Sequence, residues 1–179
     1  MNDNSELSRR ANILLVRMCG VPPPRSSVHK ILDVIFDTIQ HSPSWRIKLK
    51  ALPLLQVFYF RNLPFIPEPT IIRILEVLCN CLDDEHVQVR EMASTTLSGV
   101  LRLSPRKSVL TYRDRFVRLA RTQGEGDSVK RQKHAGILGI CALVDSYPYT
   151  VERWMPKLLT GVLVEFSYEP VCTVLLLFF

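Results

Sequence analysis

The residues best suited to binding chemistry are basic, and they are concentrated in one segment. The chain has 179 residues and a formal net charge of +6. Between Arg102 and Lys133, ten Lys and Arg residues stand against three acidic ones, so this segment carries +7 and the rest of the chain −1. Clustered cations of this kind can neutralise phosphate groups. The candidate residues for such a basic patch are Arg113, Arg115, Arg118, Arg121, Lys130, Arg131 and Lys133.

Three interpretations of this basic segment stay open at the level of sequence. The default is a solvated helix face, because charged helix surfaces are common. The second is a contact with nucleic acid or another polyanion. The third is a short nuclear import signal near Lys130-Arg131-Gln132-Lys133.

The remaining polar residues give no reason to propose an enzyme. The four histidines are not near a plausible nucleophile or a paired carboxylate in the sequence, and there is no glycine-rich phosphate loop. The five cysteines are irregularly spaced and mostly on apolar faces, which is typical of reduced, buried thiols. Cys79-Asn80-Cys81 is followed by no second pair, as a zinc site would need. We predict neither metal nor cofactor.

Hydrophobic periodicity predicts that the elements carrying these residues are helices. In the stretch 82–101, Val89, Ala93 and Leu97 recur at helical spacing, and Asp83 and Asp84 are expected to cap the helix start. Similar patterns recur along the whole chain, and hairpin signals such as Asn-Gly and Asp-Gly are missing from the sequence. We therefore predict an all-α protein.

The helices recur in pairs. The second helix of each pair begins near Trp45, Val89 and Val129, which are 44 and 40 residues apart. A period of about 40–47 residues of paired helices is the signature of HEAT and armadillo repeats. We predict a HEAT/armadillo-like α-solenoid of antiparallel helix pairs, and an irregular helical bundle is the alternative.

The chain is expected to have three parts: an N-terminal helix with a Pro-rich linker (1–27), the repeats (28–166) and a divergent hydrophobic tail (167–179). The polar N-terminus argues against a signal peptide. The long apolar run, Val171–Phe179, is too short to cross a bilayer, which takes about 20 residues, so no membrane contact is expected.

Several longer motifs point to one family. Five motifs resemble the C-terminal region of the proteasome activator complex subunit 4 family. They are Ser44-Trp45 followed by Phe58-Tyr59, and the stretches Val89–Gly99, His134–Gly139, Ser146–Tyr149 and Trp154–Leu159. Its members are large HEAT-repeat caps of the core proteasome. The resemblance covers roughly 28–166, and because members are very long, a chain of 179 residues is expected to be a truncated part of one.

The resemblance implies a function and partners. Such a segment would bind the α ring of the core proteasome and promote ubiquitin-independent degradation, including that of acetylated histones in DNA repair and spermatogenesis, in the nucleus and cytoplasm. It would act by binding and gating, without bond chemistry. The alternatives are an importin-like HEAT adaptor that holds other proteins, and a polyanion-binding helical module.

The resemblance also implies two further sites. The resemblance implies that the family's acetyl-lysine-reading region overlaps this segment. Reading acetyl-lysine needs an amide donor and aromatic walls; Asn62 is the candidate donor, with Tyr59 and Phe60 as walls. The family's C-terminal tail ends in a hydrophobic residue, a tyrosine and any residue. Here Leu177-Phe178-Phe179 has Phe178 in place of the tyrosine, and Phe178 is the candidate for docking on the core proteasome.

Overall fold

The computed structural model describes residues 3–166, and this part of the chain is helical with turns between the helices. The helices are α1 (Asp3–Gly20), α2 (Arg25–His41), α3 (Trp45–Asn62), α4 (Glu68–Cys81), α5 (Val87–Arg102), α6 (Arg106–Ala120), α7 (Asp127–Asp145) and α8 (Met155–Gly161). Short 3-10 helices follow α3 (Leu63–Phe65) and α8 (Leu163–Phe166). The prediction of an all-α chain is confirmed. None of the helices in this range has the length and apolar content that crossing a membrane requires.

The segment with the most ambiguous sequence pattern forms one helix. Trp45, Ile47 and Leu49 alternate as in a strand, but α3 continues from Trp45 to Asn62 with Pro53 in its interior. Its buried positions Leu52, Leu55 and Tyr59 recur at three- and four-residue spacing, so packing of this stripe outweighs the local cost of the proline.

The chain forms two compact units, Met1–Ile71 and Ile72–Phe179, which divide within α4. In the first unit α3 packs against both α2 and α1. The core of this unit comes mainly from α2 and α3 and includes Val28, Leu32, Phe36, Ile39, Leu52, Leu55, Phe58 and Tyr59.

The second unit is built around α7, which packs against α5 and α6. Ten consecutive α7 residues, Ala135–Val144, are buried, so the second half of this helix is covered on every side. A helical segment that is apolar all round has to lie inside a protein, and this half of α7 meets that condition, whereas the first half carries Lys130, Arg131 and Lys133.

The pairing of helices follows the predicted period. The odd-numbered helices α3, α5 and α7 begin at Trp45, Val87 and Asp127, which are 42 and 40 residues apart. Within each unit one odd helix packs on the even helix just before it, as α3 does on α2 and α7 on α6. The prediction of packed helix pairs in an α-solenoid is confirmed.

Two predicted helix ends differ in the structure. Asp83 and Asp84 do not cap α5, because the helix begins after His86, whose backbone N–H donates to Asp84 Oδ1 at 3.0 Å. The spacing of the apolar residues over Val151–Phe166 predicts one helix in that range, but the last helix is confined to Met155–Gly161. Pro156 suits the first turn of a helix, where its missing N–H is no loss, and Gly161 weakens the other end.

Candidate functional site

A set of polar bonds joins successive repeats in the second unit. The Nε of Arg90 on α5 donates to Nδ1 of His134 on α7 at 3.0 Å. The Ser94 hydroxyl donates to the Leu138 carbonyl at 2.8 Å, and this bond is buried. Both pairs are 44 residues apart. Because the bonds repeat at the period of the helix pairs, we call them the α5–α7 ladder.

The ladder continues at both of its ends. Before α5, the Asp83 carboxylate accepts a hydrogen bond from Arg131 Nε at 2.9 Å. At the other end, Arg102 Nη2 donates to the Asp145 carbonyl at 3.2 Å. An aspartate and an arginine of neighbouring repeats therefore pair, through Asp83 and Arg131.

Arg90 connects the ladder to the turn before α5. Its Nη1 donates to the Asp84 carbonyl at 2.8 Å and to the Glu85 carbonyl at 3.3 Å. Burial, followed by the nearby charge of Arg131, lowers the pKa of Arg90. Since Arg90 Nε donates to His134 Nδ1, that ring nitrogen acts as the acceptor of this bond.

A second cluster joins α4 to α6. The Glu76 carboxylate accepts one bond from the Tyr112 hydroxyl at 2.9 Å and another from Arg115 Nη1 at 2.7 Å. Burial raises the pKa of Tyr112, and the hydrogen bond to Glu76 raises it further. Cys79 is buried nearby, and burial raises the pKa of its thiol to about 12. This thiol is therefore a core group that stays protonated at neutral pH.

The residues of the predicted basic patch contact different parts of the chain. Five of the seven candidates bond within the chain: Arg115 to Glu76, Arg131 to Asp83, Arg113 to the Asp114 carboxylate, Arg118 to the Asp114 carbonyl, and Arg121 to the Gly161 carbonyl. Lys130 is exposed and Lys133 half-buried, and neither forms an ion pair within the range 3–166. Most of these arginines therefore help to hold helices together, and polyanion binding stays a prediction.

The acetyl-lysine candidates lie at the end of α3. The Tyr59 and Asn62 side chains are 0% and 1% exposed, while Phe60 is 40% exposed. Asn62 Nδ2 donates to the Phe58 carbonyl at 2.9 Å, so the proposed amide donor already has an acceptor. The helix end would have to open before Asn62 could reach a ligand, and acetyl-lysine binding stays a prediction. Phe178 lies outside the described residues.

Two glycines of α7 were not singled out from the sequence, although they decide how closely α6 and α7 approach. A Cβ added at Gly136 would lie 2.3 Å from the backbone nitrogen of Ala120, and one at Gly139 would lie 2.3 Å from Cδ1 of Phe116. The available signal was two glycines three residues apart on an apolar helix, which places both on one face.

The first unit contains an apolar groove of about 830 Å³ between α1, α2 and α3, which no pattern in the sequence indicated. It is lined by aliphatic side chains of all three helices. Within residues 3–166 no group of three or more His, Cys, Asp or Glu side chains is arranged to hold a metal ion.

Comparisons with known proteins agree on one family. The family model described as "Proteasome activator complex subunit 4-like, C-terminal" matches residues 130–174, which extends beyond Phe166, where the resemblance was expected to end. The chain is 36% identical to human Proteasome activator complex subunit 4 over 88% of its own length and 10% of the relative's. The Xenopus laevis protein of that name is 34% identical over 90% of this chain and 10% of its own length. Arabidopsis thaliana Proteasome activator subunit 4 is 27% identical over 82% of this chain and 8% of its own length. The chain thus spans about a tenth of these relatives.

Proposed function

We propose that this chain, which belongs to the proteasome activator complex subunit 4 family, is a repeat segment of an activator that binds the α ring of the core proteasome and promotes degradation without ubiquitin. The observation that carries the proposal is the similarity to Proteasome activator complex subunit 4, at 36% identity over 88% of the chain. The name of that relative states activation of a proteasome, and we extend this role to the segment.

The proposed mechanism is binding without bond chemistry. The α5–α7 ladder and the bonds of Glu76 connect helices of successive repeats. A surface held in place before binding loses less conformational entropy when it docks, so such cross-links favour a role as a stiff docking surface. The buried, protonated thiol of Cys79 fits this structural role.

A binding measurement tests the proposal. Core proteasome is immobilised, and saturable binding is measured for the full chain and for a Phe178→Tyr variant, which gives the chain a hydrophobic–Tyr–any ending. We expect both to bind and the variant to bind more tightly. If neither binds, the activator interpretation fails for this segment. Binding of extended peptides in place of the core proteasome would favour the importin-like adaptor.

We further propose that acetylated histones are among the substrates, which would connect the segment to DNA repair and spermatogenesis in the nucleus, with activity in the cytoplasm as well. Phe60 supports this proposal, since it presents an exposed aromatic ring two residues before Asn62 in the sequence. Asn62→Ala and Phe60→Ala should each weaken binding to an acetylated histone-tail peptide. Helix content measured by circular dichroism serves as the folding control, because Asn62 also bonds to the Phe58 carbonyl. Unchanged affinity in both variants would remove this position from the site.

A further inference from the structure

The turn between α5 and α6 carries a serine that is followed by a proline and two cations, in the order Ser104-Pro105-Arg106-Lys107. Pro105, Arg106 and Lys107 are exposed, and Ser104 is half-buried. The Ser104 hydroxyl donates to the Val100 carbonyl at 2.8 Å. Because the hydroxyl acts as the donor in this bond, its oxygen keeps its lone pairs for attack on an electrophile.

A polar pocket of about 230 Å³ lies beside this serine, and two arginines line it. Ser104 lines the pocket together with Arg102, at the end of α5, and Arg106, at the start of α6. Nη2 of Arg106 donates to both oxygens of the Glu152 carboxylate, which lines the same pocket. The pocket therefore already receives one anionic group.

A phosphate on Ser104 would be a stronger partner for these arginines than the carboxylate is. Phosphoserine carries a charge of about −1.5 to −2 at pH 7 and three strong acceptor oxygens, whereas the Glu152 carboxylate carries a single charge. The Arg106 side chain is 70% exposed, so it can turn from the carboxylate to the phosphate without losing its hydration. Two anions in one pocket repel each other, so the phosphate would weaken the pair between Arg106 and Glu152.

The residues after Ser104 have to leave the helix before an enzyme can contact them one by one, and this end of α6 can open at low cost. No side chain caps the helix start, so its first amides lack that hydrogen bond. Helix ends of this kind open locally with little free energy. Pro105 is already extended, with φ −57° and ψ 137°, close to a polyproline II conformation. The opening need not reach Val109, which is buried.

We propose that Ser104 is a phosphorylation site for a proline-directed serine/threonine kinase that selects a cation three residues after the acceptor, and that Arg102 and Arg106 receive the phosphate. Lys107 is that cation. Proline suits the position after the acceptor, because it lacks the N–H that would need a partner on the enzyme. The inference does not rest on binding of the core proteasome.

The transfer uses ATP as the phosphate donor. Ser104 Oγ forms a bond to the γ-phosphorus, while the bond between that phosphorus and the oxygen bridging to the β-phosphate breaks. ADP leaves with the electron pair of the broken bond, and the hydroxyl proton passes to the catalytic carboxylate of the kinase.

The first test incubates the full chain with ATP and a kinase of the cyclin-dependent class, and maps phosphate by mass spectrometry. Ser42 is the matched control, because it belongs to the other Ser-Pro pair of the chain and is also half-buried, but Trp45 stands three residues after it. We expect Ser104 to be modified at least about tenfold faster than Ser42, and Lys107→Ala to slow its modification by about tenfold, because a charge-assisted contact with the enzyme is lost. Absence of phosphate on Ser104 would overturn the proposal, and so would equal rates for the chain and Lys107→Ala.

Phosphorus NMR of the modified chain tests whether the arginines receive the phosphate. The second ionisation of phosphoserine has an ordinary pKa of about 6. Neighbouring cations favour the doubly charged form, so the titration midpoint should lie below that value and rise by about half a unit in Arg106→Gln. Lys130→Gln removes an exposed cation outside the pocket and should leave the midpoint unchanged. A midpoint that is the same in the chain and in Arg106→Gln would overturn the role of Arg106.

Discussion

Gly136→Ala is expected to destabilise the second unit by about 2 kcal/mol, although alanine favours helix formation by up to about 1 kcal/mol over glycine. The new Cβ would lie 2.3 Å from the backbone nitrogen of Ala120 and 2.8 Å from the backbone carbon of Leu119. An ordinary contact is 3.4 Å or more, so α6 and α7 have to separate by roughly 1 Å, which forfeits a quarter to a half of each contact's attraction. Because the obstacle is backbone, overpacking should cost about 3 kcal/mol, the upper part of its usual range.

Urea unfolding followed by tryptophan fluorescence measures this effect. The two tryptophans lie in different units, so Trp45→Phe leaves Trp154, beside Tyr147, as the reporter of the second unit. With a slope of about 2 kcal/mol per molar urea, the midpoint of Gly136→Ala should fall by about 1 M. Gly161→Ala is the control, since a Cβ there meets nothing within 4 Å and its midpoint should be unchanged or higher. A Gly136→Ala midpoint equal to that of the control would refute the close approach of α6 and α7.

Three further predictions follow from the contacts of the second unit. Ser94→Ala should lower the free energy of unfolding by about 1 kcal/mol, since it removes a buried bond, and an unchanged urea midpoint would contradict its place in the α5–α7 ladder. Arg131→Ala should lower the free energy of unfolding by about 0.5 kcal/mol at low salt and by less at high salt, because it removes the ion pair with Asp83. Lys130→Ala, measured by the same urea unfolding, should leave it unchanged, and equal losses in the two variants would contradict a stabilising Asp83–Arg131 pair. Cys79, whose pKa is raised to about 12, should resist iodoacetamide at about pH 8 until urea unfolds the chain, as followed by mass spectrometry; rapid labelling of the native chain would count against its burial.

The helical periodicity of apolar residues predicts most of the fold. In α2, Val28, Leu32, Phe36 and Ile39 are apolar at helical spacing, and all four are buried, so this stripe predicts both the helix and the side it packs. Burial of such a stripe is the main source of stability for a short helix, which makes the pattern informative. The spacing of helix pairs follows for the same reason, because it is carried by several stripes at once.

Side-chain partners were less predictable, because they depend on the spatial register between helices. Asp83 looked like a helix cap from its position alone, but α7 brings Arg131 to it from 48 residues away. From the sequence, Arg115 and Arg121 belong to one charged segment. In the structure they donate to groups on different helices, the Glu76 carboxylate on α4 and the Gly161 carbonyl on α8. Their charge was visible in the sequence, but the identity of their acceptors was fixed only by helix packing.

Residue type alone did not predict which of the acetyl-lysine candidates are buried. Tyr59 and Phe60 are adjacent aromatics, and a helix turns by about 100° per residue, so the first faces the core while the second is 40% exposed. Asn62 comes three residues after Tyr59, which returns it to the buried side of α3. The residue types alone suggested a pocket, but their helical phase separates the donor from the exposed ring.

Competition for the core proteasome tests the proposed function most directly. Purified core proteasome is mixed with the human full-length relative at a concentration that stimulates hydrolysis of a fluorogenic peptide, and this chain is then added in increasing amounts. If the segment docks on the α ring in the way proposed, it should reduce the stimulation in a saturable manner, and Phe178→Tyr should do so at lower concentration. Stimulation that stays constant at every concentration of both chains would contradict the account.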